Sequence, residues 1–141
     1  MHEMQVIRAV IIGVLMLVLA ACETVRPGEA KIPEGAVVTH RAAIIGSSYR
    51  ETTGTISVYQ SASRPVIVFE PNFRSPEGDQ AVVALGLDGY RSETALGPLL
   101  KPEGRQAYSV PGHIPIERFN EVWLWHRDKD IPLGIARLTP I

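Results

Sequence analysis

Glu121-Val122-Trp123-Leu124-Trp125-His126 alternates along its length with a period of two. β-branched and aromatic residues suit a pleated, half-buried surface. The alternation puts Val122, Leu124 and His126 on one face of a strand and Trp123, Trp125 and Arg127 on the other. Arg127-Asp128-Lys129-Asp130 follows, a run of alternating charge that reads as a solvated hairpin loop. Residues 131–138 then return as another strand, in which Gly134 marks a bulge or a close approach.

The same period recurs upstream. Residues 37–45 are rich in β-branched and small side chains, and Gly54-Thr55-Ile56-Ser57-Val58-Tyr59 sets Ile56 and Val58 against Thr55, Ser57 and Tyr59. Pro65-Val66-Ile67-Val68-Phe69 is a continuous apolar run of high β propensity. Residues 80–87 form a further strand, ended by the turn signal Asp88-Gly89, and residues 106–110 a short one. Pro-Glu-Gly occurs at Pro33, Pro76 and Pro102 with unequal spacings, which is recurring turn chemistry and not a repeat. No stretch after residue 36 keeps a helical period. Six or seven short strands separated by turns predict an all-β fold, an antiparallel β-sandwich or jelly-roll-like domain over residues 37–141.

The chain has 141 residues, one cysteine and a formal net charge of −1, with no cluster of Lys and Arg to track phosphates. Nucleic acid is not an expected partner. Residues 9–21 are apolar apart from Gly13, a length that matches a signal h-region and falls short of the ~20 residues a spanning helix needs. The run closes on Leu19-Ala20-Ala21-Cys22, which resembles the lipobox of bacterial lipoproteins. The resemblance implies a signal peptide over residues 1–21, cleaved between Ala21 and Cys22. It also implies covalent diacylglycerol and N-acyl lipid on Cys22 and a membrane held through that anchor. In proteobacterial lipoproteins an Asp after the cysteine commonly retains the protein at the inner membrane. Glu23 stands here, so the outer membrane, facing the periplasm, is favoured over the inner one. Two or three acyl chains anchor stably because each buried methylene contributes about 0.8 kcal/mol.

Residues 22–36 carry Pro27, Gly28, Pro33 and Gly35, with only Val25 and Ile32 as larger apolar side chains. Such a composition buries too little to offset its ordering entropy and predicts a flexible tether. Fully extended, residues 23–36 would span at most about 45–50 Å. With Cys22 committed to lipid, no thiol remains for a disulfide, a zinc site or a nucleophile.

Leu96-Gly97-Pro98-Leu99, then Gly104, Gln106, Tyr108 and Pro111, then Val122-Trp123-Leu124-Trp125, is similar to the DM-thirteen domain. That β-sandwich family accompanies DOMON domains in animals, stands alone in bacterial envelope proteins, and is often labelled electron-transfer. Gly54-Thr55 and the strand Val66–Phe69 fit the same pattern, so the resemblance spans about residues 50–138. It implies a β-sandwich and a redox role resting on a cysteine after the last tryptophan. His126 occupies that place here, and of the family's Gly-Pro-Asp only Asp79 carries over. The resemblance therefore implies the fold more directly than the redox chemistry.

His126, Trp125 and Asp79 are the candidates for a ligand or redox site. An imidazole can replace a thiolate as a metal or haem ligand, but such a site needs further ligands, and His40 and His113 are remote in sequence. A partly buried histidine bonded to backbone is the commoner outcome. Trp123 and Trp125 can line a binding site, although packing on the second sheet or capping its edge is more usual. Asp128 and Asp130 lack the EF-hand pattern. No Gly-x-Ser-x-Gly surrounds any serine, and Gly86-Leu87-Asp88-Gly89 is not a phosphate loop. No catalytic residue and no metal is assigned. The expectation is a non-enzymatic binding module for an envelope protein or small-molecule ligand. The alternative is an electron-transfer or metal-binding accessory centred on His126.

Overall fold

The computed structural model describes residues 30–47, 51–76 and 80–141. Nine strands account for most of it: β1 (Val37–Gly46), β2 (Thr55–Gln60), β3 (Val66–Phe69), β4 (Ala81–Gly86), β5 (Tyr90–Pro98), β6 (Gln106–Ser109), β7 (Glu121–His126), β8 (Ile131–Arg137) and β9 (Thr139–Pro140). A 3-10 turn, Ile116–Arg118, precedes β7. Every ladder is antiparallel, and the order across the sheet is β5-β4-β7-β8-β1-β2-β3-β6, with β9 added on β1.

β1 is long enough to serve two neighbours in turn. Its residues 37–43 pair with β2, and Ile44, Ile45 and Gly46 pair with β8. The strand therefore turns the corner between two half-sheets. The far edges, β5 and β6, meet through side chains in place of a ladder. Gln106 Oε1 accepts the Leu100 N–H (3.1 Å), the Lys101 N–H (3.3 Å) and the Tyr108 hydroxyl (2.7 Å). Gln106 Nε2 donates to the Lys101 and Gly104 carbonyls, and the Leu100 N–H also reaches Tyr108 Oη at 2.9 Å. An antiparallel sheet closed almost completely on itself, between barrel and sandwich, is the result. Closure of this kind removes most of the exposed edge that invites aggregation.

Alternation explains the core. Ile56 and Val58 of β2, Ile67 and Phe69 of β3, Val83 and Leu85 of β4, and Val122 and Leu124 of β7 all point inward and are buried. Phe69 meets Phe73 edge-on at 4.8 Å and Tyr108 at 5.5 Å, pairs worth about 0.5–1.5 kcal/mol beyond their area. β8 carries the expected irregularity. Leu124 pairs with Gly134 but Trp125 pairs with Pro132, so Leu133 is the extra residue of a bulge. A Cβ on Gly134 would lie 3.0 Å from Ile44 Cγ2 and 3.1 Å from Thr52 Cγ2. Gly134 is thus both beside a bulge and at a close approach.

All seven expected strands are present within a residue or so of their ends. β5 and β9 are additional. β5 reads Tyr-Arg-Ser-Glu-Thr-Ala-Leu-Gly-Pro and buries only Thr94, so it has no apolar period to detect. Its pairing with β4, with two register shifts, makes it a strand.

The stretch read as a tether also differs where it is described. Ala30 donates its N–H to the Ala107 carbonyl (3.1 Å). Ala30 and Ile32, together with Tyr59, pack on Val66, Val68 and Ala107, the outward side of β3 and β6. The β3 run is apolar on both faces, so its outer valines need a cover. Residues 30–32 form a strap that supplies it, and a turn at Pro33–Ala36 leads into β1. Ala21, Cys22, Asp79 and the signal-peptide residues lie outside the described residues.

Candidate functional site

The outward side of β7 carries a cluster of aromatic side chains. Cross-strand pairing puts Trp123 between Ala84 of β4 and Ile135 of β8, and Trp125 between Val82 and Pro132. Ala84 and Val82 are buried although they face away from the core, and the two indoles flank them. The tryptophans cover the outside of their own sheet and do not pack against the opposite one. Both remain half-buried.

Tyr90, the first residue of β5, lies flat on Trp125, with ring centroids 4.2 Å apart and planes 6° from parallel. Trp123 meets Trp125 nearly edge-on at 6.1 Å and 70°. The Asp88-Gly89 turn places Tyr90, with Asp88 in the left-handed region at φ 52°. Glu121 pins that turn. Although buried, it accepts the Gly89 N–H at 2.8 Å and the Trp123 indole N–H at 3.3 Å through Oε1, and Arg137 Nε lies 3.9 Å from Oε2. Gly86 is small for the same reason. A Cβ there would sit 2.5 Å from Trp123 Nε1 and collide with the Gly89 carbonyl.

Trp125 Nε1 donates to Asp130 Oδ1 at 2.9 Å. Asp130 takes a φ of 51° in the 127–130 loop, which is fully exposed as expected of a solvated hairpin. Both indole N–H groups are therefore occupied, and the patch offers ring faces and alkyl surface in place of donors. Ile45 extends it: it pairs with Ile135, which pairs with Trp123, and it is 58% exposed. Desolvation, then the charges of Asp130 and Glu93, push the Tyr90 phenol above its ordinary value, so the ring stays neutral. This arrangement can bind an apolar or planar group.

Of the residues singled out from sequence, the two that are described face opposite ways. His126 points into the protein and is 7% exposed, while Trp125 beside it points out. His126 Nδ1 accepts the Lys129 N–H at 3.2 Å, which fixes the loop that follows. His40 sits in β1, bonded through Nδ1 to Thr39 Oγ1 (3.0 Å), beside a shallow 130 Å³ cleft shared with Glu117 and Phe119. His113 is exposed in a turn. Among the described residues no three His, Cys, Asp or Glu side chains converge as a metal would require. Among the described residues, His126 belongs to no such group.

Tyr90 and Glu121 are the members that sequence reasoning passed over. The signal for Tyr90 was the Asp88-Gly89 turn, which folds whatever follows back along β4. Glu121 gave no signal, because its role depends on a turn thirty residues earlier reaching it. Of the residues carrying the DM-thirteen resemblance, Trp123 and Trp125 stand in the patch, whereas Gly104, Gln106 and Tyr108 lie at the closure. No family model, curated protein or solved structure matches the chain, so the site rests on its own geometry.

Proposed function

We propose that this chain is a lipid-anchored lipoprotein of the cell envelope whose β domain is a non-enzymatic binding module. Its contact surface is the outer face of β4, β7 and β8 around Tyr90, Trp123 and Trp125. The observation that carries this reading is the outward aromatic stack itself. Rings held rigid by Glu121 and Asp130 present contact area at little cost in side-chain entropy, the property that makes Trp and Tyr frequent anchors at interfaces. The lipobox resemblance supports the anchor, and Glu23 supports the outer membrane facing the periplasm.

The test is site-specific photocrosslinking in cells. A benzophenone amino acid at Ala95, exposed on the strand beside the patch, should give one reproducible adduct. The same group at Ser63, exposed in the loop between β2 and β3, should not. The adduct should disappear when Tyr90→Ala and Trp123→Ala are combined with the Ala95 probe. Equal labelling from both positions, or an adduct indifferent to the aromatic substitutions, would remove the patch from consideration.

A further inference from the structure

The strap and the aromatic patch lie on opposite sides of the molecule. In the order β5-β4-β7-β8-β1-β2-β3-β6, with β5 and β6 meeting at the closure, β3 is four strands from β7 in either direction. Ala30 and Ile32 rest on the outward side of β3 and β6, and Trp123 and Trp125 stand on the outward side of β7. The chain therefore joins the folded domain on the face directly away from the aromatic patch.

From this we infer that the domain is held with its β3/β6 face toward the membrane that carries its anchor, and with the Tyr90–Trp123–Trp125 face turned away from it. This rests on the lipid anchor at Cys22. Between Cys22 and Ala30 lie residues 23–29, seven in all. A flexible chain of seven residues spans roughly 15 Å on average, and about 25 Å when fully extended. Two packed sheets about 10 Å apart, with side chains on both outer faces, make a body about 20 Å thick. The average linker is shorter than the domain is thick, so only a nearly stretched linker would let the aromatic face meet the same bilayer. Had residues 30–36 been free, the reach would have roughly doubled and no face would have been selected. The strap converts a loose tether into an oriented mount. The partner of the aromatic face is accordingly a component on the far side from the anchoring leaflet, and not the lipid surface that Trp and Tyr often seek.

The chain's own residues provide the reporter. Trp123 and Trp125 are its only tryptophans, so indole emission reads the aromatic face alone. Arg105, exposed beside Ala107, reads the strap face once changed to cysteine, because Cys22 is blocked by lipid. The full-length acylated protein is reconstituted into phospholipid vesicles containing a nitroxide-headgroup lipid. Quenching of a bimane on Arg105→Cys should exceed quenching of the tryptophans several-fold. A flexible Gly-Ser insertion after residue 29 should erase most of that difference. Ile32→Asp, which releases the strap, should do the same. Tryptophan quenching equal to or above that of the bimane would overturn the inference, as would an asymmetry unchanged by the insertion. A chain that is never acylated would remove the anchor and the orientation together, whereas acylation with reversed quenching removes only the orientation.

Discussion

Tyr108 shows how one buried side chain serves both core and closure. Its ring packs on Phe69, and its hydroxyl donates to Gln106 Oε1 while accepting from the Leu100 N–H. Burial pushes its phenol well above the ordinary 10.0, with the Leu100 bond opposing in part. A raised folded value means that the folded state holds the proton more tightly than the unfolded chain does. The associated stability is fully present below pH 10 and is lost as pH rises through the folded value. Tyr108→Phe should therefore cost about 1–3 kcal/mol at neutral pH, through the lost bonds to a buried amide. It should also flatten the decline in stability above about pH 10. Urea midpoints of the two proteins at neutral and strongly alkaline pH check both effects, and parallel pH profiles would contradict the second. His126 differs in kind. Its inward position and single bond to the Lys129 N–H predict that His126→Ala lowers stability by about 1–2 kcal/mol through a small cavity and a freed loop. The metal content and absorption spectrum of native protein should not change with that substitution. A chromophore or stoichiometric metal lost in His126→Ala would restore the electron-transfer alternative.

At the scale of elements, β8 is constrained from both sides, by β7 and by β1. Its bulge at Leu133 keeps Ala136 and Leu133 inward while Ile135 stays on the aromatic side, and Gly134 lets β1 and Thr52 approach. Gly134→Val would force Ile44 and Thr52 to move by more than a few tenths of an ångström. It should destabilise the domain by about 1–3 kcal/mol, measurable as a shift in urea midpoint at constant m-value. β5 is the contrasting case. Its exposed Arg91, Ser92 and Glu93 contribute little burial, and it is held by β4 and by Thr94, whose Oγ1 lies 2.8 Å from the carbonyls of both Leu85 and Arg91. An edge strand held this way places Tyr90 on Trp125 without contributing much to the core.

For the whole molecule, the near-closed sheet gives two separated outer surfaces, one strapped by the chain's own residues 30–32 and one bearing the aromatic patch. The proposed anchor is tested at the same scale. Cys22→Ser should abolish labelled-palmitate incorporation and leave an uncleaved or mislocalised precursor, read from a gel of membrane and soluble fractions. Acylation that persisted in that variant would undo the localisation. What the sequence determined by itself is local: the strands with a clear period, the turns at Asp88-Gly89 and residues 127–130, and which side of β7 each residue faces. Those follow from backbone geometry, since neighbouring side chains in a strand must point to opposite faces. Ile32 looked too isolated to be buried, because the apolar surface it covers belongs to β3 and β6, far along the chain. Glu121 was silent, and the Asp88-Gly89 turn told nothing of what Tyr90 would stack on, since a cross-strand contact depends on register between distant segments. Only the tertiary structure could decide those pairings, and with them the aromatic stack, the closure at Gln106 and the opposition of strap and patch, because each depends on strand order and not on any residue's neighbours in sequence.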